Sequence, residues 1–412
     1  KPLPSREQIQ KSAPSICPAE APVKNFSVSA IDQNIRYHEG TPGTMEVDLE
    51  RKMVFGNEQG KMYVLDGDRG KVKAGELRPS PLTLHVNVGD CMKINLKNEM
   101  AKERAGFHVD MMAFDPKDSF GANVGNNPGD QTIGPGQSKT YTYYAHPEYG
   151  ELAALIQDWG NVVENPRNGL FGSIIIGPKG SRYRDPMTGA DVTMKSSWRA
   201  DVLVDRTIPG NENRKNYRSF SLMFQDEDNN MGVSFMPYLQ QVAGITAVNY
   251  QSEPTAWRIE KGCDVSEIFS CAKAGDTPST PLLQAHVGDP VAIHVLGAFS
   301  EQVQLFTVDG HEWPHEPYSQ GADQVSTMEF GGSEVINAYL TGGAGGPNKI
   351  VGDYLWKNQR PAFANAGQWG LFKVLPIDDQ RILPLMPQVP SRKLAEQEND
   401  GGAASLTSTV GQ

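Results

Sequence analysis

The sequence predicts an all-β protein built as two Greek-key β-sandwich domains in tandem. Three observations predict it. Short runs alternate apolar and polar residues with the period of a strand. Glycine (42) and proline (29) break these runs at turns. One ordered set of motifs occurs twice along the chain.

The elements follow in order. PLTLHVNVGDCMKINLKNEM (residues 81–100) alternates as a half-buried strand pair should. TIGPGQSKTYTYY (132–144) is a Gly-Pro-Gly turn feeding an alternating strand, which runs on in QSKTYTYYAHPE (137–148), and GLFGSIIIGPKG (169–180) is a further strand. Helical stretches are few and short, such as SREQIQKS (5–12) and DWGNVVENPRNGL (158–170). In the first half PLTLHVNVGDCMKINL leads to AGFHVDMMAFD, then TIGPGQSKTYTYY, then NPRNGLFGSIIIGP. In the second half PLLQAHVGDPVAIHVLG leads to VQLFTVDGHEW, then EFGGSEVINAYLTGG, then ANAGQWGLFKVLP. Each repeat has the size of one sandwich domain. The reading is an N-terminal segment (1–14), a first domain (15–180), a turn-rich linker (181–197), a second domain (198–378) and an extended tail (379–412). The tail's composition is that of disordered chain, ordered only if a neighbour or its own domain holds it.

Composition narrows the function. A net charge of −11 argues against a nucleic-acid partner, because phosphate binding wants a basic face. No apolar run approaches the roughly 18 residues that span a bilayer. The chain opens at KPLPSREQ without an initiator Met, which fits a processed secreted chain or a trimmed one. Cys17, Cys91, Cys263 and Cys271 stand in no CxxC pattern. Their even number suits two disulfides in an oxidising compartment. Cys263 and Cys271 would close a small loop, and Cys17 with Cys91 would staple the N-terminal segment. Four buried free thiols are the alternative.

The motifs together resemble the multicopper oxidase family, in its bacterial manganese-oxidase, hephaestin and ceruloplasmin-like branch. The carriers are CPAEAPVKNFSVSAID, GKMYVLD, PLTLHVNVGDC, TIGPGQSKTYTYYA, NPRNGLFGSIIIGPKGSRYRDPMTG, FSLMFQDEDNN, the run from PLLQAHVGDP to VLG, VDGHEWPHEP and GDYLWKNQRPAFANAGQWGLFKV. The resemblance spans about residues 17–378 and implies two cupredoxin-like domains. It also implies where copper ligands would stand. A type-1 copper needs two His and a Cys thiolate, often with an axial Met. The resemblance puts these positions on Gln304, Asn358, Phe363 and Gln368. The trinuclear-cluster positions fall on His108 and Asp110 in the first domain, with the later pair near ALIQDW. In the second domain they fall on Thr307 and Asp309, and on Lys357 and Gln359 flanking Asn358. Only His108 keeps a histidine. His311 is kept too, but the family does not use that histidine for copper.

No thiolate stands at position 358, and an ammonium at 357 would repel Cu²⁺. The resemblance thus implies a fold whose copper chemistry is lost. His108, Asp110 and Asp309 remain as candidate ligands for another divalent ion such as Zn²⁺ or Mn²⁺. The favoured reading is that Lys357 replaces the metal's charge, buried and paired with Asp110 or Asp309. His311, Glu312, His315 and Glu316 look like a surface metal site, but Pro314 and Pro317 forbid the helix that would align them. FQDEDNN (224–230) offers oxygen ligands for Ca²⁺ without EF-hand spacing, so a solvated turn is favoured. Asp353 and Tyr354 read as turn and core residues. TGGAGGPNK reads as a long turn rather than a phosphate loop, and no GxSxG, HExxH or P-loop pattern occurs.

The expectation is a copper-free, catalytically inactive protein without a cofactor. It would serve as a structural or accessory subunit in a homo- or hetero-oligomer, secreted, periplasmic or at the cell surface, with no transmembrane segment of its own. The alternative is a metal-dependent oxidoreductase of the multicopper type, or a binder of a non-copper divalent ion at the old cluster position.

Overall fold

The structure is a computed structural model that describes residues 15–38, 56–226 and 246–385. SREQIQKS, residues 227–230 of FQDEDNN and the tail beyond residue 385 lie outside the described residues.

The first sandwich pairs two sheets. One has the strand order Lys61–Leu65, Val23–Asp32, Cys91–Asn98, Ser138–Tyr144, Ala113–Phe114. The other runs Leu82–Asn87, Phe171–Gly177, Leu152–Gln157, His108–Val109. Their facing sides close over Phe26, Val28, Leu84, Ile94, Phe107, Tyr141, Ile156 and Ile174. In the second sandwich one sheet has the order Arg182–Arg184, Arg199–Leu203, Tyr217–Asp226, Val291–Phe299, Val335–Tyr339. The other has the order Leu283–His286, Trp369–Leu375, Gly352–Asn358, Gln304–Val308, Thr327–Phe330. Phe220, Leu222, Phe224, Ile293, Val295, Trp313 and Trp356 fill the space between them.

The repeat seen in the sequence reappears as topology. Each of the four sandwich sheets contains one parallel pair among antiparallel neighbours. In the first sandwich these are Val23–Asp32 with Cys91–Asn98 and Leu82–Asn87 with Phe171–Gly177. In the second they are Tyr217–Asp226 with Val291–Phe299 and Leu283–His286 with Trp369–Leu375. Parallel neighbours need long crossovers, which here carry chain from one sheet to the other, as in a Greek key.

The two sandwiches pack face to face. Ile31, Met62, Leu155, Phe171 and Ile175 of the first join Met223, Ala247, Tyr250 and Leu296 of the second in one apolar cluster. The Ala153 N–H donates to Asn337 Oδ1 (3.0 Å) across the contact, and Ser173 Oγ meets Ser221 Oγ at 3.0 Å.

Three local expectations change, and the start of the tail takes one of its two open alternatives. Leu82–Asn87 is buried at every position rather than half-buried, because its second face is covered by the other sandwich. The segment read as a linker contributes Arg182–Arg184, which pairs with Arg199–Leu203 and so belongs to the second sandwich. Helix within DWGNVVENPRNGL is confined to Glu164–Arg167, and the eight-residue helix Asp66–Lys73 was not foreseen. The start of the expected tail is held in place. His286 Nε2 lies 2.8 Å from Asp379 O, Arg218 donates to Leu383 O (2.8 Å), and Leu383 N donates to Pro186 O (2.8 Å). The cysteines form disulfides Cys17–Cys91 and Cys263–Cys271.

Candidate functional site

At one end of the second sandwich, Gln304 opens its strand, Asn358 closes the neighbouring one, and Gln368 precedes the next. The pairing Phe306↔Asn358 and the short helix Pro361–Asn365 bring the three together. All three are buried, and they hydrogen-bond to one another. Asn358 Nδ2 donates to Gln304 Oε1 (3.0 Å) and to Gln368 Oε1 (2.8 Å). The orientation of each amide is forced by what lies behind it. Asn358 Oδ1 accepts the backbone N–H of Leu305 (3.2 Å) and Arg360 (3.0 Å), so its NH₂ must point inward. Gln368 Nε2 donates to Gln225 O (3.0 Å), so its oxygen faces Asn358. Gln304 Nε2 is left to donate to Ser300 Oγ (2.8 Å) and Asp226 Oδ2 (3.4 Å).

Asp226 closes the network, also accepting from Ser300 Oγ (3.1 Å) and Glu301 N (2.9 Å). Burial pushes its carboxyl up to about 6. The sequence reading missed this residue, since an acidic run after a strand looks like a solvated turn. Phe363 is buried beside the network, with the Arg360 guanidinium over its ring at 4.7 Å.

The neighbouring positions do not join it. Thr307 is buried, and its hydroxyl donates to Ser326 O (2.7 Å). Gln359 is exposed. Lys357 Nζ meets Asp309 Oδ2 at 2.8 Å, so Asp309 is the partner and Asp110 is not. The pair is not buried as expected: the side chains are 20% and 47% exposed. Asp309 lies just past the end of its strand, where the chain turns into solvent.

In the first sandwich His108 and Asp110 line an open cleft of about 500 Å³ with Arg104, Gln157 and Trp159. The His108 ring stacks on Phe120 (5.2 Å) and meets Phe114 and Trp159 edge-on. Its Nδ1 faces Phe120 O (2.7 Å) and its Nε2 faces Asp110 Oδ1 (3.1 Å). Neither nitrogen is turned toward open space. The candidate trio of His108, Asp110 and Asp309 is not assembled. Among the described residues no three His, Cys, Asp or Glu side chains form a group that could hold a metal ion. Asp309 is committed to Lys357 in the other sandwich. Asp158, beside the cleft, accepts from Gly106 N (2.7 Å), Gly160 N (3.0 Å) and Asn165 Nδ2 (2.8 Å), and burial raises it to about 6.

The other sequence candidates are structural. His311 is buried. Its Nε2 accepts the Gly345 N–H (3.0 Å) and its ring lies against Tyr354 and Phe372. It thereby clamps the glycine-rich turn. Gly343 in that turn has φ +72°, and a Cβ there would sit 2.4 Å from Asp289 O, so glycine is required. Asp353 pairs with Lys373 (2.7 Å).

Solved structures of copper proteins share this architecture. A copper nitrite reductase from Nitrosomonas europaea is similar with a TM-score of 0.53 and 14% identity, over 87% of this chain and 96% of that one. The chain carries the multicopper-oxidase fold. A blue copper oxidase from Nitrosomonas europaea matches at 0.52 and 15%, over 85% and 86% of the two chains. A multicopper oxidase matches at 0.50 and 14%, over 88% and 92%. No protein-family model and no curated protein matches the chain. At such identity the likeness establishes the multicopper-oxidase fold and nothing finer.

The similar structures are of copper proteins, and the side chains here do not fit copper. Three neutral amides and a phenyl ring supply neither thiolate nor imidazole. The amide oxygens and NH₂ groups are already spent on one another and on backbone. His108 offers a single imidazole with both nitrogens engaged.

Proposed function

We propose that this chain is a copper-free member of the multicopper-oxidase-like proteins that works as a structural or accessory subunit of an extracellular or periplasmic assembly. The observation that carries the reading is the buried Gln304–Asn358–Gln368 network, completed by Asp226 and Ser300. A closed, mutually satisfied polar cluster leaves no donor aimed at an ion, and opening it would strand several buried polar groups. The Lys357–Asp309 ion pair supports the same reading on the cluster side.

Two disulfides suit an oxidising compartment. No helix among the described residues is long and apolar enough to cross a membrane. A partner surface is supported by the rim of the His108 cleft. Met111, Val124, Trp159, Val162 and Val163 are all exposed there or in the adjoining residues. Clustered apolar exposure of this kind marks contact sites.

The test is oxidase assay together with native mass measurement. Protein expressed with added copper is expected to consume no oxygen with phenolic, ferrous or manganous substrates. It is also expected to run as an oligomer or co-purify with defined partners. Turnover that scales with bound copper would overturn the reading.

A further inference from the structure

Two histidines that no site above uses face the contact between the sandwiches. Leu82, Leu84 and Val86 point into the first core, so Thr83, His85 and Asn87 point the other way. Thr83 Oγ1 accepts from Ser173 Oγ (3.2 Å), which in turn meets Ser221 Oγ of the second sandwich. In the register of that sandwich Ser221 lies beside His294, and His294 beside Asn337. Asn337 Oδ1 takes the Ala153 N–H across the contact and also lies 2.7 Å from His294 Nδ1. That oxygen is an acceptor, so His294 Nδ1 donates and Nε2 is a bare lone pair.

His294 Nε2 is buried with no hydrogen-bond partner, and so is His85 Nδ1. Each residue is 1% exposed. The His85 ring lies 4.5 Å from Tyr183, and the His294 ring 6.2 Å from Tyr339. The charge that acts on His85 is Lys24, itself paired with Asp90 (3.1 Å), and a proton on His294 would add a second. Both would repel a proton on its ring. The Tyr217–Asp226, Leu152–Gln157 and Phe171–Gly177 strands bring no further charge to these rings, and the Glu151–Arg214 pair closes on itself at the edge.

We propose that the contact between the two sandwiches is acid-labile, with His85 and His294 as its proton acceptors. A proton on either ring creates a cation with no carboxylate facing it inside a buried contact. Burial lowers His85 to about 3 and His294 to about 4 while the contact is closed. Exposed imidazole titrates near 6.5. The closed contact therefore binds fewer protons than the open one below about pH 6.5. Its stability is full above that value and falls continuously as the pH drops toward about 4. Asp158 and Asp226, raised to about 6, act in the opposite sense, so they do not imitate the effect.

The experiment is hydrogen exchange on the full chain from pH 7.5 to 4.5, corrected for intrinsic rates and read at the Ala153 amide and the strands around it. Wild type is expected to lose protection at least tenfold between pH 7.5 and 5. The double variant His85→Gln/His294→Gln is expected to lose most of that pH dependence. His315→Gln, at an exposed histidine, should follow wild type. A flat wild-type profile, or the same acid loss in the double variant, overturns the proposal. Should the double variant not fold, histidine NMR on wild type decides. Rings that stay neutral below pH 5 until exchange accelerates are expected, whereas titration near 6.5 in the closed state overturns it.

Discussion

Asn358 has one NH₂ group serving two buried acceptors, and its oxygen serves two backbone donors. Replacing it with Ala removes four hydrogen bonds and leaves Gln304 and Gln368 facing an empty pocket. Asn358→Ala is expected to cost about 3 kcal/mol of folding stability, from the penalty for stranded buried polar groups. Denaturant unfolding at neutral pH checks this. Lys357 stands next to it in sequence and behaves differently. Its pair with Asp309 is partly solvated, so Lys357→Ala should cost less than about 1 kcal/mol. The sequence suggested a larger effect, because a Lys at a cluster position looks buried. The strand's alternation sets the difference: Asn358 points into the sandwich while Lys357 points to its edge.

At the scale of elements, legibility tracked what periodicity can see. Ser138–Tyr144 and Phe171–Gly177 were readable from alternation and flanking turns. Asp66–Lys73 was not, because Gly67 and Gly70 argue against a helix. Its support is electrostatic, with Asp66 and Asp68 in the first turn and Lys71 and Lys73 in the last. His85 sits in an alternation whose polar positions look solvent-facing, and His294 is a lone histidine in the apolar run VAIHVLG, which gives no sign of what its face meets. Only the tertiary contact covers that face. Motif order placed Gln304, Asn358 and Gln368 at related positions, but their forced amide orientations depend on backbone groups no motif reveals.

The disulfides also act at this scale. Cys17–Cys91 closes a separation of 74 residues and Cys263–Cys271 one of 8. Loop-closure entropy predicts losses of about 4.5 and about 2.5 kcal/mol when each is replaced by a Ser pair. Thermal unfolding of the two variants should preserve that order. Equal losses would mean that unfolded-state structure dominates.

At the scale of the whole molecule, the chain has the fold of the similar copper proteins, and the positions that the resemblance marks for metal hold side chains bonded to one another. The parallel pairs recur in both sandwiches, both cores are complete, and the chain past residue 378 is tied back by Arg218 and His286. The most direct test is elemental analysis with visible absorption on protein folded in the presence of excess copper and then dialysed. Substoichiometric copper and no thiolate-to-copper band are expected. One tightly held copper per chain with that blue absorption would contradict the account.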